Sequence, residues 1–330
     1  MIYLHILLLF INDPIFNNNT IKRVRVNFRA CFFFALFGTG LIAGCKKEEN
    51  EVEAEPAVTA PVVPVKPASR FISKIYEYVP APGQFINESL GSLEGVQKII
   101  GDVKNTGLIS LGGYGGYVIF GFDHSVVNNS GNDLAIYGNP IGGGLYDWSE
   151  PGIVMVSQDL NGNGKPDDLW YELAGSEYAV ASTVKNYEIT YTNPKGTADV
   201  TWKDNQGKTG AVEINSFHTH NYYPLFVANQ ETLTFKGTLL RSTLGQTANG
   251  IFINSPFSWG YSDSWSPADD FTTNSYNSFD ISHAVDGSGK QVDLKTIDFV
   301  KVYTGQNEKG NTTVGEVSTE IAGAADLGIK

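Results

Sequence analysis

Cysteine is nearly missing from this chain: Cys31 and Cys45 are the only two among 330 residues. Residues 46–330 therefore form no disulfide among themselves, and must be held by their own core and by any bound metal. Basic residues are also scarce, 23 against 35 acidic, for a net charge of −12. That balance argues against nucleic acid or anionic lipid head groups as partners. No apolar run reaches the ~20 residues that a transmembrane helix needs. Gly-x-Ser-x-Gly and His-Glu-x-x-His do not occur, and no glycine-rich loop leads into Lys-Ser/Thr and a helix. The chain thus lacks the usual signatures of a serine hydrolase, a zinc protease and a phosphate-binding loop. No segment recurs at a fixed period, which argues against a propeller.

What is abundant points to β-structure. Glycine reaches 36 residues and aromatics 12%, while charged residues stay at 18%. Such a composition, with few helix formers, favours strands and turns. Alternating or apolar runs predict strands over residues 71–79, 117–122, 133–139, 152–158, 169–173, 186–192, 198–202, 232–235, 250–253, 297–303 and 315–321. Glycine- and asparagine-rich turns separate them, as at 111–116 and 128–132, and one short helix is expected over 92–102. Many short strands without alternating helices predict an all-β fold. The expected form is an antiparallel β-sandwich, of jelly-roll or galactose-binding-like type, with long loops.

The first 70 residues differ from the rest. Lys22, Arg23, Arg25 and Arg29 precede a short apolar run over 30–44, the layout of a secretory signal. A further apolar stretch at 2–11 reads as lying upstream of the true signal start near Lys22. The run ends in Leu41-Ile42-Ala43-Gly44-Cys45, which resembles the lipobox of bacterial lipoproteins. The resemblance implies lipidation of Cys45 and removal of residues 1–44. Removing four basic residues and one acidic residue (Asp13) leaves a mature net charge of about −15. Residues 45–70 carry Glu48, Glu49, Glu51, Glu53 and Glu55, then Pro56, Pro61, Pro64 and Pro67, and read as an extended tether. Cys45-Lys46-Lys47-Glu48-Glu49 also resembles the acidic export signal of Bacteroidota surface lipoproteins. That implies a lipid-anchored place on the outer membrane, exposed at the cell surface. The ligand-binding domain is expected over 71–327.

One stretch has the chemistry of a cation loop. Asp159, Asn161 and Asn163 recur at alternate positions, Gly164 stands sixth, and Lys165, Asp167 and Asp168 follow. Oxygen ligands at positions 1, 3, 5, 7 and 9 with glycine at 6 suit Ca²⁺, a hard cation. Position 12 is Trp170 rather than glutamate and the flanks read as strands, so a structural Ca²⁺ in a hairpin is expected. The alternative is a metal-free turn rich in asparagine and glycine.

Candidate recognition residues lie in other loops. Tyr114, Tyr146, Trp148, Tyr222, Trp259, Tyr261 and Trp265 stand among glycine, serine and aspartate, a setting suited to stacking on a sugar or a large planar ring. Burial in the core would claim such residues equally well. His218 and His220 share a face if their segment is extended and could meet a transition metal or a corrinoid cobalt, but no third ligand lies near them in sequence. Carboxylates such as Glu150, Asp263, Asp269 and Asp270 are too plentiful for any pair to suggest a glycosidase.

Several motifs together carry a family resemblance: Tyr78-Val79-Pro80-Ala81-Pro82-Gly83-Gln84-Phe85, Leu111-Gly112-Gly113-Tyr114-Gly115-Gly116, Gly121-Phe122-Asp123-His124, Ile136-Tyr137-Gly138-Asn139, Glu150-Pro151-Gly152 and Ile297-Asp298-Phe299-Val300-Lys301-Val302. With the 159–168 loop, they resemble the Bacteroidota lipoproteins often labelled "cell surface protein" or PKD-domain-containing protein, including surface lipoproteins of cobamide (vitamin B12) uptake loci. The resemblance implies a non-enzymatic protein that captures a nutrient, with a cobamide foremost, for a TonB-dependent outer-membrane transporter. A glycan-binding lipoprotein is the alternative, and a glycan-cleaving enzyme the third reading.

Overall fold

The computed structural model describes residues 67–330 except 144, 145, 228, 270 and 312. The expected signal, Cys45 and most of the tether lie outside the described residues. Six strands form the main antiparallel sheet, in the order β1 (Lys74–Val79), β3 (Tyr117–Gly121), β17 (Phe299–Thr304), β6 (Gly152–Ser157), β7 (Trp170–Leu173) and β15 (Ala284–Val285). A four-stranded sheet runs β10 (Thr209–Val212), β9 (Val200–Asp204), β8 (Val184–Thr192) and β11 (Thr232–Leu239). A three-stranded sheet runs β14 (Asn277–Phe279), β5 (Leu134–Tyr137) and β19 (Gly323–Asp326). Two-stranded ladders pair β2 (Ile109–Ser110) with β18 (Glu320–Ile321), β4 (Val126–Val127) with β16 (Thr296–Ile297), and β12 (Leu244–Gln246) with β13 (Phe252–Asn254). Every pairing within these sheets is antiparallel, and the fold is an all-β sandwich type.

Side-chain alternation explains the layering. Along the main sheet Val118, Phe120, Val154, Val156, Val300 and Val302 point to one face. There they join Leu134, Ile136, Phe279 and Ala324 of the three-stranded sheet in one buried cluster. Ile153 and Tyr303, one residue out of phase, enter a second cluster with Leu240, Phe257 and Tyr261. Tyr117 packs on that cluster and on a third, built from Tyr187, Ile189, Tyr191, Val200, Leu233 and Phe235 of the four-stranded sheet. The Tyr303 hydroxyl accepts a hydrogen bond from Thr238 N at 2.8 Å, tying β17 to β11. With both faces covered, β6 reads as an unbroken apolar run rather than an alternating one.

The expected short helix is reduced to a single 3₁₀ turn, Gly95–Ile99. A Cβ on Gly95 would sit 2.2 Å from Ser89 O, so the backbone is pressed against its own preceding turn. The last expected strand is also displaced. Residues 315–319 carry only a single bridge, from Glu316 to Lys309, and strand pairing begins at β18 and continues in β19.

Phe120 is wholly buried in the first cluster. Phe120→Ala should cost about 3–5 kcal/mol in urea unfolding followed by tryptophan fluorescence. Leu160→Ala, at a residue 66% exposed, should stay within about 0.5 kcal/mol.

Candidate functional site

The loop between β6 and β7 has the hairpin setting expected of it. Ser157 pairs with Trp170 and Val156 with Tyr171. Asp159 Oδ1 accepts from Asn163 N at 3.0 Å and its Oδ2 from Gly164 N at 2.8 Å. The amide groups of Asn161 and Asn163 lie 3.1–3.2 Å from the carboxylates of Asp167 and Asp168, and hold Asp167 below the usual carboxylate range. Gly162 and Gly164 have φ of +69° and +70°, which lets the chain curl around these oxygens. Asp159 N donates to Asp298 Oδ2 at 2.8 Å, so the loop is pinned to the residue that precedes β17. These hydrogen bonds turn the amide nitrogens of Asn161 and Asn163 toward the carboxylates and their oxygens toward the backbone N–H groups of Asn163 and Lys165. For Lys165 the structure gives only a backbone N–H, donated to Asn163 Oδ1 at 2.8 Å.

The aromatic candidates do not form one surface. Tyr222 is buried, and its hydroxyl accepts from Asn215 N at 3.0 Å. Tyr261 is buried against Phe257, and its hydroxyl accepts from Glu177 N at 3.1 Å. Both serve the core, where a satisfied hydroxyl lets a large ring be buried. Half-buried Trp265 lies over Gly142 and against Phe271. Trp148 directs its indole at Glu150, and Tyr146 is half-buried. Trp259 packs at a tilt against His283, ring centroids 5.0 Å apart, and lines a cavity of about 270 Å³. Tyr114 is fully buried, edge-on to Tyr187 at 5.0 Å, and lines a cavity of about 600 Å³.

That larger cavity lies between the β9–β10 hairpin and the 307–316 loop. Trp202 of β9 pairs with Gly210 of β10, and a Cβ on Gly210 would meet the indole at 2.5 Å. Across the cavity, Lys309 forms an ion pair with Glu213, and Gly310 N donates to Gly315 O at 2.7 Å to close the loop. Asn307 and Asn311 add amide groups to the lining. Glu316 lines it as well and is buried. Its Oε1 accepts from Gln84 N at 2.7 Å, whereas Oε2 has no partner. The Tyr114 hydroxyl also has none. Burial pushes Glu316 up to about 8. Gly83 is required beside it, because a Cβ there would lie 2.6 Å from Glu316 Oε1.

A second acidic constellation, Glu150, Asp263 and Glu320, brings its ligand atoms within 4.8 Å of one another. Asp263 sits at φ +53° and accepts from Asn139 N at 2.9 Å and Glu320 N at 2.8 Å. Glu150 accepts from Ser318 N at 2.9 Å, and Ser318 Oγ donates to Glu320 at 3.0 Å. Burial raises all three, and mutual repulsion raises Asp263 and Glu320 further; Glu150 is pushed up to about 7. Such a trio can share protons or hold a hard cation.

Local pattern does not single out Trp202, Glu316 or Glu320, and the abundance of carboxylates hides Glu150 and Asp263. The motif residues Pro82-Gly83-Gln84, Gly113-Tyr114, Gly138-Asn139 and Glu150-Pro151-Gly152 mark the neighbourhood. The histidines, by contrast, acquire the third ligand that their surroundings in sequence lack: Glu88 stands beside both.

The folded state favours protonated Glu150 and Glu316. Their contribution is complete below the ordinary glutamate value of 4.5 and is lost as pH rises through about 7 and about 8. The melting temperature should therefore fall between about pH 5 and pH 9. Glu316→Gln, which mimics the protonated acid, should remove the upper part of that fall, worth on the order of a few kcal/mol.

No family model matches the chain, and no curated protein matches it.

Proposed function

We propose that this chain is a non-enzymatic binding protein that holds a small, hydroxyl-rich ligand in the cavity lined by Trp202, Tyr114 and Glu316. The carrying observation is that Glu316, a buried residue whose Oε2 has no partner, lines that cavity. A buried polar atom without a partner costs about 1–3 kcal/mol, and a ligand hydroxyl would remove the cost. The half-buried indole of Trp202 offers an apolar face for a sugar ring, and Asn307, Asn311 and Glu213 offer hydrogen-bonding edges. A volume of about 600 Å³ falls within the range of small-molecule sites. It suits one or two sugar residues, and on that ground a glycan is put before a cobamide.

On this reading Cys45 carries the lipid anchor, residues 45–70 are the tether, and the domain works at the cell surface beside an outer-membrane transporter. Among the described residues no helix is long and apolar enough to cross a membrane. Ca²⁺ at Asp159, Asn161, Asn163, Asp167 and Asp168 would staple the β6–β7 hairpin of a domain without cysteine.

Calorimetry of the full chain against a glycan panel and cyanocobalamin decides the ligand class. Binding of a glycan, weakened about tenfold or more by Trp202→Ala, is expected. Heat with cyanocobalamin alone would transfer the site to corrinoids, silence with both would sink the proposal, and release of reducing sugar would make the protein an enzyme.

The calcium staple is checked by melting after EDTA treatment. Added Ca²⁺ should raise the midpoint by about 2–4 °C for each kcal/mol of binding free energy. Asp159→Ala should abolish the rise.

A further inference from the structure

Apart from the cavity, the fold brings together three side chains with the chemistry of a metal centre. His218 and His220 follow β10, and Glu88 comes from a loop 130 residues earlier in the chain. His218 Nδ1 lies 3.4 Å from both Glu88 oxygens, and His220 Nδ1 lies 3.3 Å from Oε1. All three ligand atoms fall within 4.8 Å of one another. These separations are long for charge-assisted hydrogen bonds, which run at about 2.7–2.9 Å. They match ligand atoms arranged around one ion: bonds of about 2.0–2.1 Å in a tetrahedron put neighbouring ligands about 3.3–3.4 Å apart.

Protonation chemistry points the same way. His220 Nε2 lies 2.9 Å from Ile86 O, and a carbonyl oxygen only accepts. Nε2 therefore carries the proton, and in the neutral ring Nδ1 presents a lone pair. That lone pair faces a carboxylate oxygen, an arrangement that a cation between them would make favourable. A ring N–H donated to a backbone carbonyl is also the common way to orient a metal-bound histidine.

The two segments are held in place independently of any ion. Asn87, at φ +72°, donates through Nδ2 to Asn221 O at 2.6 Å and Tyr223 O at 2.9 Å, and accepts from Leu225 N at 2.7 Å. Asn215 Oδ1 accepts from His218 N at 2.8 Å, and the His218 ring meets Phe85 edge-on at 4.9 Å. Glu88 is exposed and both histidines are partly so, which leaves a path for entry and room for a further ligand.

We propose that Glu88, His218 and His220 bind one divalent transition-metal ion of the zinc type, with at least one coordination position open to water or to a ligand group. Two imidazoles and one carboxylate select such an ion over Ca²⁺, which takes oxygen ligands. The site is distinct from the carboxylate and amide set of the 159–168 loop and does not depend on the cavity holding a sugar.

The test uses the full chain, stripped with EDTA, dialysed and titrated with Zn²⁺ by calorimetry. A parallel titration with Co²⁺ is followed by visible absorption. Binding of Zn²⁺ is expected, at least about tenfold weaker in Glu88→Gln and in His220→Ala. The intense Co²⁺ bands of a four-coordinate site should be lost in the same variants. His124→Ala should leave both signals unchanged, because His124 is bound instead between Asp123 and Asp326. Circular dichroism confirms folding, and Glu88→Gln, at an exposed position, decides the matter if His220→Ala unfolds. Failure of the wild-type chain to bind Zn²⁺, or equal binding by Glu88→Gln, overturns the proposal and leaves an ordinary histidine–glutamate ion pair.

Discussion

Burial of the main sheet on both faces is the constraint on which the other features rest. Val118, Phe120, Val154, Val156, Val300 and Val302 fill one side, while Ile153 and Tyr303 fill the other with Tyr117 packed alongside. Full burial of each such side chain contributes roughly 1.5–3 kcal/mol, and no disulfide among residues 46–330 supplements it. A sheet covered twice needs two partner layers, here the three-stranded and four-stranded sheets. The loops that join the layers then meet at their seams, where the buried carboxyls collect.

Those seams carry the cost of the arrangement. Glu150, Asp263, Glu316 and Glu320 are drawn into surroundings that disfavour their charged forms. Backbone N–H groups from Gln84, Asn139, Ser318 and Glu320 offset part of that cost. A fold selected for stability alone has little use for four such carboxyls, since apolar residues of similar volume are often as stable or more so. Gly83 and Gly138 mark the same places, because a side chain at either would strike Glu316 or Asp263.

The hydrogen bonds that shape the cavity also approach the histidine pair. Gln84 donates to Val314 O at 3.2 Å and accepts from Asn215, while Asn215 accepts from His218 N. Gln84 N binds Glu316, so one buried amide pair touches the walls of both constellations. The two constellations are therefore positioned by shared packing even though their chemistry differs.

The sequence by itself determined what depends on neighbours along the chain. The strands of the β6–β7 hairpin and β17 follow from apolar runs bounded by turn residues. The 159–168 loop was legible because all its oxygen donors fall within ten residues. The β10 strand, Thr209-Gly-Ala-Val, was not, since its small residues carry little strand signal without Trp202 lying across Gly210. Nor could local pattern tell a loop aromatic from a core one: Tyr222 and Tyr261 stand in polar stretches yet are buried, and Trp202 sits in an ordinary strand yet lines the cavity. Only the tertiary structure brought Glu88 to His218 and His220, or Glu150 to Asp263 and Glu320. The physical reason is that spacing along a strand or turn fixes where a side chain points, whereas the order and stacking of the sheets decide which distant loop it meets.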